Sequence, residues 1–265
     1  MKYIRGFLMA WGMFCWIPCP YRKWDGDARS AQLAMLPLIG TGMGIICCLI
    51  WWPLAAMEAG SAITGAVLTG AYFLMTGFIH LDGFMDCSDA VMPRHPEMEQ
   101  RQRILKDSNV GAFAAAALAL MLLVFASSWI TMAHTFTPGT CGIVIMIFTL
   151  SRTMAALNVM MCKPMATSQY AAAERKENGV EVTVAILIGA FVTVAAMIGS
   201  GWEHLQTSPL AGAMCALAAA VVTAGSALLT GMYDRKKLGG MNGDISGHMI
   251  TLSEMFGMMT LALLV

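Results

Sequence analysis

Seven long apolar runs leave this chain of 265 residues few ways to fold. They cover approximately residues 33–57, 60–79, 111–133, 141–161, 181–201, 210–232 and 245–264. Each comes close to the ~20 residues an α-helix needs to cross a bilayer. Lipid offers no hydrogen bonds, so a run that crosses it must satisfy its own backbone as a helix. Charged residues make up 12% of the chain, about half the share in an average soluble domain. The expected fold is therefore all-α: a polytopic membrane helical bundle of about seven transmembrane helices, forming one domain over residues 1–265. Residues 1–20 are basic and then apolar, but Trp11, Trp16, Pro18 and Pro20 stand where a cleavage site needs small residues. This segment reads as a retained interfacial or half-buried helix, not a signal peptide.

The basic residues give an orientation. Lys2, Arg5, Arg22, Lys23 and Arg29 precede the first run; Arg94, Arg101, Arg103 and Lys106 follow the second. Lys163, Arg175 and Lys176 follow the fourth, and Arg235, Lys236 and Lys237 the sixth. The connections around Glu58, His134 and Glu203 hold no Lys or Arg, so fifteen of the sixteen basic residues lie on alternate loops. The positive-inside rule assigns those loops to the cytoplasm. A multi-pass protein of the bacterial cytoplasmic membrane is expected, with the N-terminus inside and the C-terminus outside. Trp51, Trp52, Trp129 and Trp202 fall at the opposite ends of the runs, where interfacial aromatics belong. Net charge is zero, and no nucleic-acid partner is expected.

The chemistry starts directly after the second run, at His80-Leu81-Asp82-Gly83-Phe84-Met85-Asp86-Cys87-Ser88-Asp89-Ala90. On a helix turning ~100° per residue, Asp86 stands ~40° round from Asp82 and Asp89 within ~20° of it, so the three carboxylates share one face. Acids that close repel one another unless a cation joins them. Oxygen-only ligands suit Mg²⁺, which binds through a few carboxylates together with substrate phosphate. Solvation of a helix end is the plain alternative. The eight cysteines are scattered, with no C-x-x-C pair or Cys/His cluster, and indicate neither zinc nor a disulfide framework. His80 lies round the helix from Asp82; it reads first as a structural histidine, with a general-base role open to it. His95, His134 and His204 are not strong candidates.

Two further loops and one buried charge join the acids. Lys106, Asp107, Ser108 and Asn109 precede the third run, where they can cap a helix or, with Lys106, hold an anion at its N-terminus. Gly239, Gly240, Gly243 and Gly247 put four glycines into nine residues, which permits a backbone to approach a ligand closely. Asp244 in the same loop is a further acid at the membrane edge, able to complete a metal site begun by Asp82. Glu254, deeper in the last run, reads as a buried packing acid in preference to a partner of that site. Arg152 is the sixteenth basic residue and lies midway along the fourth run. A lone intramembrane Arg faces protein, water or an anion. The aspartate cluster favours phosphate contact for it, with a structural partner as the alternative.

Taken together, His80-Leu81-Asp82-Gly83-x-x-Asp86-x-x-Asp89, the Lys106-Asp107-Ser108 loop ending at Gly111, and Leu238-Gly239-Gly240-x-x-Gly243-Asp244-x-x-Gly247 with Glu254 resemble the signatures of the cobalamin synthase family. That family is the adenosylcobinamide-GDP ribazoletransferases, and the resemblance runs from the 14–20 segment to the last run. Cys15, Lys106 and Asn242 depart from the residues common there, and the loop 163–179 matches poorly. The resemblance implies transfer of the adenosylcobinamide phosphate of adenosylcobinamide-GDP to α-ribazole or its 5′-phosphate, with GMP leaving. It implies Mg²⁺ on Asp82, Asp86, Asp89 and Asp244. Catalysis would fall to the three helix aspartates, with His80 behind them. Lys106, Asp107, Ser108, Arg152, Gly239, Gly240 and Gly243 would contact substrate. CDP-alcohol phosphotransferases would need Ala-Arg after an Asp-Gly, and membrane prenyltransferases a second paired-aspartate motif; neither is present. A cation transporter would set its acids near the bilayer midplane, not at one face.

Overall fold

A computed structural model describes residues 1–19, 21, 24–94, 97–166, 168, 179–203 and 208–265. Arg22, Lys23, His95, Arg175, Lys176, His204 and most of the 163–179 loop lie outside the described residues. The elements run α1 (Lys2–Phe14), α2 (Arg29–Ala34), α3 (Leu36–Ala56), α4 (Ser61–Met75), α5 (Ile79–Val91), α6 (Met98–Ile104) and α7 (Ala112–Met132). They continue with α8 (Pro138–Met161), α9 (Gly179–Glu203), α10 (Pro209–Leu238) and α11 (Gly243–Leu264). Six of these, α3 and α7 to α11, are long and apolar enough to cross a membrane. The chain is a multi-pass, all-α membrane protein.

Helices α8 and α11 form the centre. Helix α8 packs on α3, α9, α10 and α11, and α11 packs on α5, α7, α8 and α10. Two glycines one turn apart let α3 approach α8: a Cβ at Gly40 would run into the Phe148 carbonyl, and one at Gly44 would lie 2.7 Å from the Ile145 Cα. Small residues at such spacing give helices in lipid the close contact that hydrophobic burial cannot provide there. Trp51 and Trp129, expected at the interface, are instead fully buried. Their rings meet edge-on at 5.5 Å, and the Trp51 Nε1–H donates to the Ala133 carbonyl at 3.2 Å. Trp52 and Trp202 are exposed, as interfacial residues should be. Helix α1 buries Gly6, Met9 and Ala10 against α2 and leaves Ile4 and Met13 exposed, the half-buried helix expected of this segment.

The second apolar run departs from a straight span. Helix α4 stops at Met75, Gly77 and Phe78 both turn left-handed (φ +57° and +61°), and α5 leaves at 89° to α4. Left-handed backbone in a bulky residue is strained and persists only where its surroundings hold it. Here Trp16 helps, its backbone N–H donating to the Met75 carbonyl at 2.7 Å. The turn sends α5, with its acids, against α7 and the first turns of α11.

Candidate active site

Two glycines bring the acids of α5 to the start of α11. A Cβ on Gly83 would lie 2.9 Å from both Cα and O of Asp244, and one on Gly247 would lie 2.9 Å from the His80 carbonyl. The Thr251 hydroxyl donates to that same carbonyl at 3.2 Å. This close approach puts Asp82 and Asp244 within electrostatic reach of Asp86, although among the described residues no three of the aspartates expected to hold a metal bring their oxygens within 4.8 Å of one another. Burial comes first, and then the carboxylates of Asp82, Asp244 and Asp89, in pushing the Asp86 carboxyl up to about 6. Asn242 caps α11 by accepting from the Ile245 N–H at 3.0 Å, and its amide donates to Asp244 Oδ2 at 2.6 Å.

Asp89 does something the sequence did not suggest. Its two oxygens accept from the backbone N–H groups of Gly111 and Ala114, at 2.6 and 2.8 Å, so it caps α7 from 22 residues away. Capping by Asp107, Ser108 or Asn109 is thereby corrected. Asp107 Oδ1 accepts from the N–H and side-chain amide of Asn109, bonds that hold its carboxyl below the usual range and stiffen the loop. Lys106 and Ser108 are exposed beside it.

The glycine loop also divides its labour. Gly239 ends α10 in a left-handed turn (φ +85°). A Cβ on Gly240 would lie 2.6 Å from the Met165 N, so its close approach is to protein backbone and not to a ligand. Met241 and the 163–165 segment exchange backbone hydrogen bonds at 2.8 and 2.9 Å. Gly243 does face open space, a cavity of about 240 Å³ lined with Lys106, Ser168, Asn242 and Asp244. A second cavity of about 430 Å³, walled by Met13, Trp16, Phe78 and Ile79, reaches Asp82.

Two assignments move away from the site. Arg152, read as a phosphate contact, is fully buried in α8 and pairs with Glu254, with further bonds to the Phe148 carbonyl (3.0 Å) and Ser151 (3.2 Å). The Glu254 carboxylate also accepts from Tyr72 and Ser151, the packing role expected of it. His80 is buried, stacked on Phe14 with ring centroids 5.8 Å apart. Burial, and then the Arg152 charge, keep it neutral, and it faces away from the exposed Asp82. Sequence reasoning missed Arg101, which is buried and donates to the Ala90 and Val91 carbonyls at 3.0 and 3.1 Å, closing the C-terminus of α5.

By class this is an integral-membrane helical protein with acids, glycines and basic residues in the segments around α5 and the start of α11. The chain belongs to the cobalamin-5-phosphate synthase family, whose model matches residues 6–262. It is 31% identical over 262 residues to the adenosylcobinamide-GDP ribazoletransferase of Clostridium perfringens (strain SM101 / Type A), covering 99% of each chain. The proteins of the same name from Lachnoclostridium phytofermentans and Brevibacillus brevis are each 28% identical, over 96% and 95% of this chain and 92% and 95% of their own. No solved structure matches the chain.

Proposed function

We propose that this chain transfers the adenosylcobinamide phosphate of adenosylcobinamide-GDP to α-ribazole or its 5′-phosphate, releasing GMP. Family membership makes it a transferase of cobalamin biosynthesis. The observation that carries the fuller reading is the Gly83–Gly247 crossing, which draws acids from two distant segments together at the loop end of the bundle. In the reaction, a ribose hydroxyl of the ribazole bonds to the phosphorus next to cobinamide, the bond from that phosphorus to GMP breaks, and the hydroxyl proton passes to a carboxylate of the cluster. Such transfer depends mainly on positioning and electrostatics.

Asp82, Asp86 and Asp244, with any lone pairs that Asp89 can spare from capping, are the residues that would hold Mg²⁺. The fit rests on the donor set, all oxygen; burial, and then the neighbouring carboxylates, lift Asp86. When bound, the ion neutralises charge on the diphosphate and on the departing nucleotide. Lys106 and the backbone at Gly243 line a cavity sized for phosphate groups, not for a corrinoid. Two substrates need two approaches, and one cavity reaches Asp82 while another reaches Asp244.

Purified protein in detergent should release GMP only when adenosylcobinamide-GDP, α-ribazole and Mg²⁺ are all present. GMP release without the ribazole, or undiminished turnover in a chelator, would refute the reading. Gly83→Ala should push α5 off α11, and a displacement of about 1 Å at a reacting centre costs on the order of 10²-fold in rate. The same assay measures that loss, and wild-type kinetics would mean the close crossing does not matter. We also assign the acid end of the bundle to the cytoplasm, from the basic loops that surround it. Cysteines introduced in residues 94–106 and 235–237 should resist a membrane-impermeant thiol reagent in intact cells and react once the cells are opened. Labelling in intact cells would reverse the orientation.

A further inference from the structure

Behind the acid cluster, α5, α10 and α11 enclose a second set of donors that the transfer reaction does not use. Cys87 and Asp234 are fully buried and His248 nearly so, and one donor atom from each lies within 4.8 Å of the other two. Among the described residues this is the only group of three His, Cys, Asp or Glu side chains that draws so close. His248 Nδ1 and Asp234 Oδ2 are 2.7 Å apart. The other oxygen of Asp234 is buried without a hydrogen-bond partner. The Phe84 ring packs against His248 at 5.4 Å and helps to keep water out.

A buried carboxylate oxygen without a partner costs free energy that folded proteins rarely leave uncompensated. His248, the nearest base, engages only Oδ2, and the neighbouring cations leave Oδ1 without a partner. Arg235, beside Asp234 in the chain, donates to Asn158, while Lys237 lies 5.6 Å over the Tyr233 ring. A divalent cation would engage the carboxylate. A thiolate and a carboxylate carry two negative charges, which one such ion cancels, so the buried group becomes neutral overall. Sulfur and imidazole ligands select zinc over magnesium. Zinc holds Cys sulfur at about 2.3 Å and His nitrogen or Asp oxygen at about 2.0–2.2 Å, so the Cys87 sulfur has to move in from a separation of up to 4.8 Å while His248 and Asp234 part slightly from their 2.7 Å contact.

We propose that Cys87, Asp234 and His248 form a zinc site that clasps α5 to α10 and α11. Water takes the fourth position. On binding, the Cys87 S–H proton is released to solvent and the sulfur binds the metal as thiolate. Cys87 directly follows Asp86, and His248 lies one helical turn beyond Asp244. The clasp would therefore hold together the two helices that carry the acids. It is chemically distinct from the oxygen-only cluster and stands whether or not that cluster binds Mg²⁺.

The test uses full-length protein purified in detergent through a tag without histidine, equilibrated with zinc and freed of excess. Elemental analysis should find a single tightly held zinc per chain. Replacement by Co²⁺ should produce the near-ultraviolet charge-transfer band of a thiolate–cobalt bond, which oxygen ligands cannot give. Cys87→Ser should lose both the band and the tight zinc, whereas Asp82→Ala should keep both. Should Cys87→Ser fail to purify as a monodisperse protein, His248→Ala must lose the tight zinc in its place. Wild-type protein without zinc, a cobalt spectrum lacking the thiolate band, or full zinc content in the Cys87 or His248 variant would overturn the proposal.

Discussion

Asp82→Asn is expected to lower kcat/KM for GMP release by roughly 10²–10³-fold, the usual effect of removing one group that stabilises charge in a transition state. Insertion and melting should stay as in the wild type. Asp82 is exposed, and what holds its place in α5 is its backbone N–H, bonded to the Phe78 carbonyl at 2.9 Å. Asn keeps the size of Asp and removes only the charge, so folding has little to lose and cation binding much. Asp89→Ala supplies the contrast. It deletes the cap of α7, which should cost about 0.5–2 kcal/mol of stability in addition to any loss of turnover. Steady-state kinetics and thermal melting of both variants separate the two roles. Near-wild-type turnover in Asp82→Asn would remove Asp82 from the site.

How far the sequence led depends on the range of the interaction. Apolar runs betray helices because lipid leaves the backbone no other solution, and the acid spacing of Asp82, Asp86 and Asp89 is a local property of one helix. Asp244 entered from the nature of its loop. The break at Gly77 and Phe78 was hidden because nothing in Thr76-Gly77-Phe78-Ile79 interrupts the apolar pattern, and a left-handed Phe has no compositional signature. Gly83 and Gly247 announce a close approach but not its partner. The remaining errors are contacts between distant segments. Asp89 reaches α7 across 22 residues, and Cys87 finds Asp234 and His248 only after α5 has folded against α10 and α11. Two clues were in reach. An acid already known to be buried, Glu254, was waiting for the one intramembrane cation, and Arg101 followed closely on a helix end with open carbonyls.

The pairing of Arg152 with Glu254 also carries the largest effect on stability. Glu254→Ala should cost about 3–5 kcal/mol, the usual loss when one member of a buried pair is removed and the other keeps its charge. The Arg152 guanidinium would then lie fully buried in α8, with neutral partners only: Phe148, Ser151, Tyr72 and the Met43 sulfur. Thermal melting in detergent should fall by an amount on the order of 10 °C. Replacing both residues by Met should recover most of that loss, because apolar groups of similar volume need neither charge nor partner. Activity in the double variant then distinguishes the two roles assigned to Arg152. A guanidinium that only holds α8 to α11 can be removed with its partner while turnover survives. A guanidinium that binds phosphate cannot, and turnover would collapse in a protein that melts normally. The buried geometry predicts survival, and a Glu254→Ala melting point equal to wild type would show that the pair does not hold the bundle together.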